Sequence, residues 1–109
     1  MVIIMISNLG VDQIVFWHRE LPPPAADVVG EGEVEADSRH VPGTLANRDR
    51  LWDECLAEVM VEARTRLEQE VRRRGGRYAH VLSEGLEVKR NDATGETWLH
   101  GRFAYVMLA

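Results

Sequence analysis

His18, His40, His80, His100 and Cys55 are all the histidines and cysteines in this 109-residue sequence. A dedicated zinc site places two cysteines two apart, or two histidines one helical turn apart, so that one ion can be reached by both. No pair here has such a spacing. If His80 and His100 lie on the paired strands read below, with His80 facing Tyr105 and His100 facing Gly85, roughly 17 Å of strand separates them. One protomer cannot chelate with both. A symmetric oligomer could still gather one His100 from each subunit around a divalent metal.

The row Trp98, His100, Arg102 alternates on one strand face and combines a flat aromatic ring, a titratable ring and a cation. That set could line a small-molecule pocket, and Trp and Arg are also the residues most enriched at the centres of protein interfaces. Arg72, Arg73, Arg74 and Arg77 form the basic cluster. It could grip a small anionic ligand or the acidic row of a neighbouring subunit, Glu31, Glu33 and Glu35, and at a helix carboxyl end it also neutralises the dipole. The full acidic row, Asp27, Glu31, Glu33, Glu35 and Asp37, offers oxygen ligands, but along a strand these stand about 6 to 7 Å apart, too far to share one ion. Such a row suits a solvated face that discourages edge pairing. Gly30-Glu31-Gly32 is no dinucleotide loop, because a strand continues where a helix should begin. Neither Ser83 nor Cys55 sits in a nucleophile elbow. For Cys55, mid-helix on an apolar stripe, a core position is expected.

The elements that position these residues follow from periodicity. Trp52, Leu56, Val59, Ala63, Leu67 and Val71 recur at steps of three or four, which predicts an amphipathic helix between Asn47 and Arg74. Asn47 can cap it, Glu62–Arg66, Glu68–Arg72 and Glu70–Arg74 can pair along it, and Gly75-Gly76 supplies a left-handed exit. Asp27 to Asp37 alternates with period two and reads as a strand. Its inner side, Val28, Gly30, Gly32, Val34 and Ala36, is so small that something bulky or a backbone should approach it closely, and a helix lying across it would fit. Tyr78 to Lys89 and Glu96 to Leu108 read as a hairpin. If Lys89 opposes Glu96, Leu82, Leu86 and Val88 share a face with Leu99, Phe103, Tyr105 and Met107, while Ala79, Val81 and Ser83 share the other with Trp98, His100, Arg102, Ala104 and Val106. Val2 to Ile6 reads as a further strand, Gln13 to His18 as a second extended piece, and Leu21 to Ala26, with three prolines, as a connector within the domain.

Composition bounds the class. Thirteen Lys and Arg against eighteen Asp and Glu give a net charge of −5, which disfavours nucleic acid and an acidic membrane surface as partners. An apolar fraction of 45% with 28% charged residues belongs to a folded chain. One cysteine allows no intrachain disulfide, Met1 to Ile6 lacks the features of a signal peptide, and no run is long enough for a membrane span, so a cytoplasmic location is expected. Residues 1–109 are read as one α+β domain: one long helix packed across a mostly antiparallel sheet of about four strands. One helix cannot cover two sheet faces, and a patch of Trp98, Ala104, Val106, Val81 and Ala79 on the other face predicts cover by a second copy or by the amino-terminal segment.

From about Asp27 onward the layout resembles the YbjQ-like family, which carries a heavy-metal-binding label. Val28-Val29-Gly30-Glu31 resembles its glycine-containing strand, Ala63 and Leu67 followed by Gly75-Gly76 its alanine-bearing helix and glycine turn, and Gly101-Arg102-Phe103-Ala104-Tyr105-Val106 its closing strand. Two departures are the lack of a glycine-rich loop between Arg48-Asp49 and the helix, and Arg77 and Tyr78 in place of acidic and small residues. The resemblance implies a small α+β protomer in a ring-like homo-oligomer, commonly a pentamer. It implies no chemistry that can be placed on these residues.

The function expected is a non-enzymatic binding or assembly module with no cofactor, forming a homo-oligomer through the uncovered sheet face. The alternatives are a metal or small-ligand binder with Trp98, His100 and Arg102 between subunits, and an enzyme assembled across subunits with His100 and Glu84 as acid and base.

Overall fold

The computed structural model describes residues 13–45 and 48–109; the strand expected at Val2 to Ile6 and the cap expected at Asn47 lie outside them. The apolar stripe produces one helix, α1, Asp49–Arg74, which buries Cys55, Val59, Ala63, Leu67 and Val71. It begins after Arg48, which makes no side-chain cap; its carbonyl accepts from the Trp52 N–H at 2.9 Å, and its guanidinium Nη1 donates to the Pro42 carbonyl at 3.2 Å. Asp49 in the first turn and Arg72, Arg73 and Arg74 in the last complement the dipole. Gly75, at φ 76°, turns the chain out in the left-handed conformation, with the Gly76 N–H bonded to the Val71 carbonyl at 2.9 Å.

The strands are β1 (Val15–Phe16), β2 (Val28–Asp37), β3 (Val41–Pro42), β4 (Tyr78–Asn91) and β5 (Glu96–Leu108). They form one sheet in the order β1-β4-β5-β2, with β3 beside the start of β5. Only the β1–β4 pairing is parallel. The fold is therefore α+β, with one helix across a mostly antiparallel sheet, and β3 adds a short pairing that its two residues gave no periodicity to reveal. Among the described residues no helix is long and apolar enough to cross a membrane.

Helix and sheet meet over Val34, Ala36, Leu99, Phe103, Tyr105, Met107, Ala79 and Val81, all buried. The small inner side of β2 has the expected cause. A Cβ on Gly32 would lie 2.8 Å from the Tyr105 hydroxyl, and one on Gly30 would lie 2.7 Å from the Arg74 guanidinium. Those two side chains, one from β5 and one from the end of α1, fill the space the glycines leave.

Two features of the hairpin correct the sequence expectations. Asn91 opposes Glu96 and Lys89 opposes Trp98, so Arg90 and Asn91 belong to β4. The turn is tighter than expected because the Asn91 side-chain oxygen accepts from the Ala93 and Thr94 amides at 2.9 and 3.4 Å and Gly95 adopts φ 74°. A register shift between Val81 and Ser83 then leaves Leu82 as the extra residue of a bulge, which reverses the alternation. Ala79 and Val81 face the helix at 0% exposure, so they are not part of the far face. A second shift, between Val28 and Gly30, likewise separates Val28 from the inner glycines.

Along α1, Glu62 pairs with Arg66 at 2.6 Å as expected. Glu70, by contrast, takes Arg73 in a two-pronged contact of 2.8 and 2.9 Å, because Arg74 is drawn toward β2. Its Nη1 donates to the Glu31 carbonyl at 3.0 Å and to the Tyr105 hydroxyl at 3.2 Å.

Candidate functional site

On the sheet face away from α1, the register sets three rows side by side. The central strand β5 contributes Trp98, His100, Arg102, Ala104 and Val106; β2 sets Asp37 against His100, Glu35 against Arg102 and Glu33 against Ala104; β4 sets Lys89, Glu87, Gly85 and Ser83 against Trp98, His100, Arg102 and Ala104. Opposed residues share a face, so the acidic row of β2 lies against the cationic residues of β5 within one protomer.

His100 is the focus of this face. Its Nδ1 lies 2.6 Å from Asp37 Oδ1 and its Nε2 lies 3.0 Å from Glu35 Oε1. Ionised carboxylates only accept hydrogen bonds, so two such neighbours favour the imidazolium, the form in which both ring nitrogens donate. The hydrogen bond to Asp37 is the main cause that raises its pKa above the ordinary 6.5; partial burial opposes this, and the Glu35 bond and the charge of both carboxylates reinforce it. Arg102 Nε stands 3.5 Å from both Glu33 and Glu35, so Glu35 links the two cations. Opposite Arg102, Gly85 has no side chain, and a depression of about 260 Å³ opens among Gly85, Leu86, Glu87, His100 and Arg102.

Trp98 does not line that depression. The His40 ring stacks on it with centroids 3.9 Å apart and planes at 9°, so the flat face expected to receive a ligand already carries a ring of its own chain. His80 and His100 are farther apart than the expected register had them: His80 opposes Val106 and His100 opposes Glu87. His80 packs beside Phe16 of β1, and its Nε2 is buried without a hydrogen-bond partner. His18 stands beside Glu84, at 3.7 Å.

Chemically, this face is an ion-pair network. In the imidazolium form that these carboxylates favour, the ring has no lone pair with which to ligate a metal or take a proton. Among the described residues no three or more His, Cys, Asp and Glu side chains are grouped to hold a metal ion. The cations that could attract a small anion are already matched by Glu33, Glu35 and Asp37. Glu84, expected beside His100 in the enzyme alternative, opposes Phe103 and so lies on the helix side of the sheet. Cys55 is a core residue, 0% exposed.

The basic cluster and the acidic strand, expected to meet between subunits, already touch within one protomer through Arg74 and the Glu31 backbone. Arg73 is taken by Glu70, Arg77 lies over the Tyr78 ring at 5.5 Å, and Arg72 is exposed. The His100 bridge between Asp37 and Glu35 escapes sequence reasoning because it depends on the β2–β5 register. The only trace in the sequence is that carboxylates alternate on β2 while cations alternate on β5.

No family model, no curated protein and no solved structure matches the chain. The likeness to YbjQ-like proteins accordingly rests on the residue motifs alone.

Proposed function

We propose that the protein is a non-enzymatic binding and assembly module that works as a homo-oligomer, with the sheet face away from α1 covered by other copies. The observation that carries this is the one-sided cover of β5. Its helix side is sealed by α1, whereas Trp98, Ala104 and Val106 stand only partly buried on the far side, where, among the described residues, the His40 ring covers Trp98 and no second layer lies over Ala104 and Val106. The described part of the amino-terminal segment reaches that face only at one end, where Phe16 packs edge-on against Tyr78 at 5.8 Å. Trp17 goes to the helix side, against Phe103.

The ion-pair network favours assembly over catalysis, since its cations and carboxylates satisfy one another and leave a pre-ordered surface. A ring of copies, as the YbjQ-like resemblance implies, is one form such an assembly would take, and a reducing location such as the cytoplasm suits a lone buried thiol. The depression between Glu87, His100 and Arg102 favours a second reading, a small-ligand site completed by a neighbouring subunit.

Light scattering on a sizing column tests the assembly. The wild type should run as a multiple of the protomer, and Ala104→Arg, which sets a long side chain beside Glu33 on the bare face, should dissociate it while the fold persists by circular dichroism. A monomeric wild type, or an assembly indifferent to Ala104→Arg, would refute the face reading.

A further inference from the structure

The two long edges of the sheet differ. β2 carries its carboxylates at one edge, a common guard against strand addition. β4 instead carries charges of both signs, Glu84 and Glu87 with Lys89 and Arg90. Among the described residues β1 covers it only at Ala79 and His80, every residue from Leu82 to Asn91 is exposed, and Leu86 and Val88 are 42% and 48% exposed.

The backbone of this edge is set for a partner. Leu99 of β5 takes Ser38 Oγ on its N–H and gives its carbonyl to the Ser38 N–H, each at 2.9 Å and on the side away from β4. The Val88–Leu99 pair is thus a pair without mutual hydrogen bonds, and by alternation Glu84, Leu86, Val88 and Arg90 direct their N–H and C=O groups out of the open edge.

We infer that β4 pairs antiparallel with β4 of a second copy about a twofold axis at Glu87, joining two sheets into one. Outward residues must oppose outward residues, and symmetry requires the pairing to read the same from both chains, so few registers exist. With the axis at Glu87, Leu86 opposes Val88 of the second copy and Glu84 opposes its Arg90, each contact occurring twice. A shift of two residues one way stacks Leu86 on Leu86 and leaves Glu84 facing Val88; the other way sets Glu84 against Asp92. Only the Glu87 register makes both the apolar and the charged pairs complementary. At the axis Glu87 meets Glu87 on the far face, each matched by its own Lys89 at 2.9 Å. This surface is distinct from the bare face, and the inference does not depend on the face assembly.

A charge swap tests the register, read by sedimentation velocity across a concentration series. Glu84→Arg alone and Arg90→Glu alone each set like charges opposite one another and should weaken the two-copy unit about tenfold or more; the double variant Glu84→Arg with Arg90→Glu should restore it. Val88→Lys, at an exposed position, should also weaken it, with circular dichroism showing that each variant folds. In hydrogen exchange, the amides of Glu84, Leu86, Val88 and Arg90 should gain protection as concentration rises, whereas those of Gly85, Glu87 and Lys89, bonded to β5 inside the protomer, should not. A monomeric wild type overturns the inference, as does a double variant that fails to recover. An oligomer broken by Ala104→Arg but untouched by the charge swaps overturns the edge pairing alone and leaves the face reading standing. The converse result removes the face reading and leaves the edge.

Discussion

Gly32→Ala probes the closest approach in the fold. The added Cβ would lie 2.8 Å from the Tyr105 hydroxyl, 3.0 Å from Cζ and 3.1 Å from Cε1, inside van der Waals contact with a ring that is 2% exposed and therefore has little room to retreat. Overpacking of this kind costs about 1 to 3 kcal/mol. Alanine in a strand recovers roughly 0.5 to 1 kcal/mol of the conformational entropy that glycine loses on folding. A displaced Tyr105 also lengthens its 3.2 Å bond from Arg74, worth about 0.5 to 1.5 kcal/mol. The net expectation is a loss of about 0.5 to 4 kcal/mol, or a melting temperature lower by roughly 4 to 8 °C for each kcal/mol in a domain of this size. Denaturant titration of the four proteins in the Gly32→Ala and Tyr105→Phe cycle checks it. Removing the hydroxyl deletes the nearest colliding atom and the Arg74 acceptor together, so Gly32→Ala should cost at least about 0.5 kcal/mol less in the Tyr105→Phe background. A neutral Gly32→Ala, or an equal cost in both backgrounds, would refute the claim that these glycines exist to admit the ring.

Two further outcomes follow from the site and the turn. The pKa of His100 is raised in the folded protein, so its contribution is complete below the unfolded value near 6.5 and is lost as pH climbs through the higher folded value; stability measured from pH 6 upward should fall, and the difference between wild type and His100→Gln should shrink along that climb, whereas a difference that grows with pH would contradict the doubly donating ring. Asn91→Ala removes the acceptor for the Ala93 and Thr94 amides at an exposed turn, so it should lower stability by under about 1 kcal/mol, seen as a lower denaturant midpoint at unchanged slope.

How much of this was legible in the sequence depended on whether one element or a pairing of two carried the signal. The helix, its glycine exit, the β2 strand and the need for a bulky neighbour beside Gly30 and Gly32 follow from periodicity and residue size within one element. The hairpin was legible as a pair of strands, and its faces were legible from Ser83 onward, with Leu86 and Val88 on the side of Leu99 and Phe103, but not before it, since a single bulged residue at Leu82 reverses the alternation. A trace of that inversion is in the sequence: the apolar residues run on odd numbers at Ala79 and Val81, then on even numbers at Leu86 and Val88. A strict alternation imposed across both segments placed Ala79 and Val81 on the wrong face and made the far side look more apolar than it is. The site suffered more, because His100 acquires its character from Asp37 and Glu35, about sixty positions earlier, through a register that neither strand specifies alone.

That register also explains how a strand with four alternating carboxylates is tolerated in this sheet. Glu31, Glu33, Glu35 and Asp37 would repel one another and any neighbour, yet β5 places Arg102 and the doubly donating His100 between the last three, so their charge is spent inward on the central strand. The same carboxylates still border the β2 edge and discourage a further strand there, while β4 reaches its own edge with only Glu84, Leu86, Val88 and Arg90 facing a newcomer on the helix side. Acidic protection of one edge and a self-complementary sequence on the other are the two observations on which the proposed pairing of β4 with a copy of itself rests.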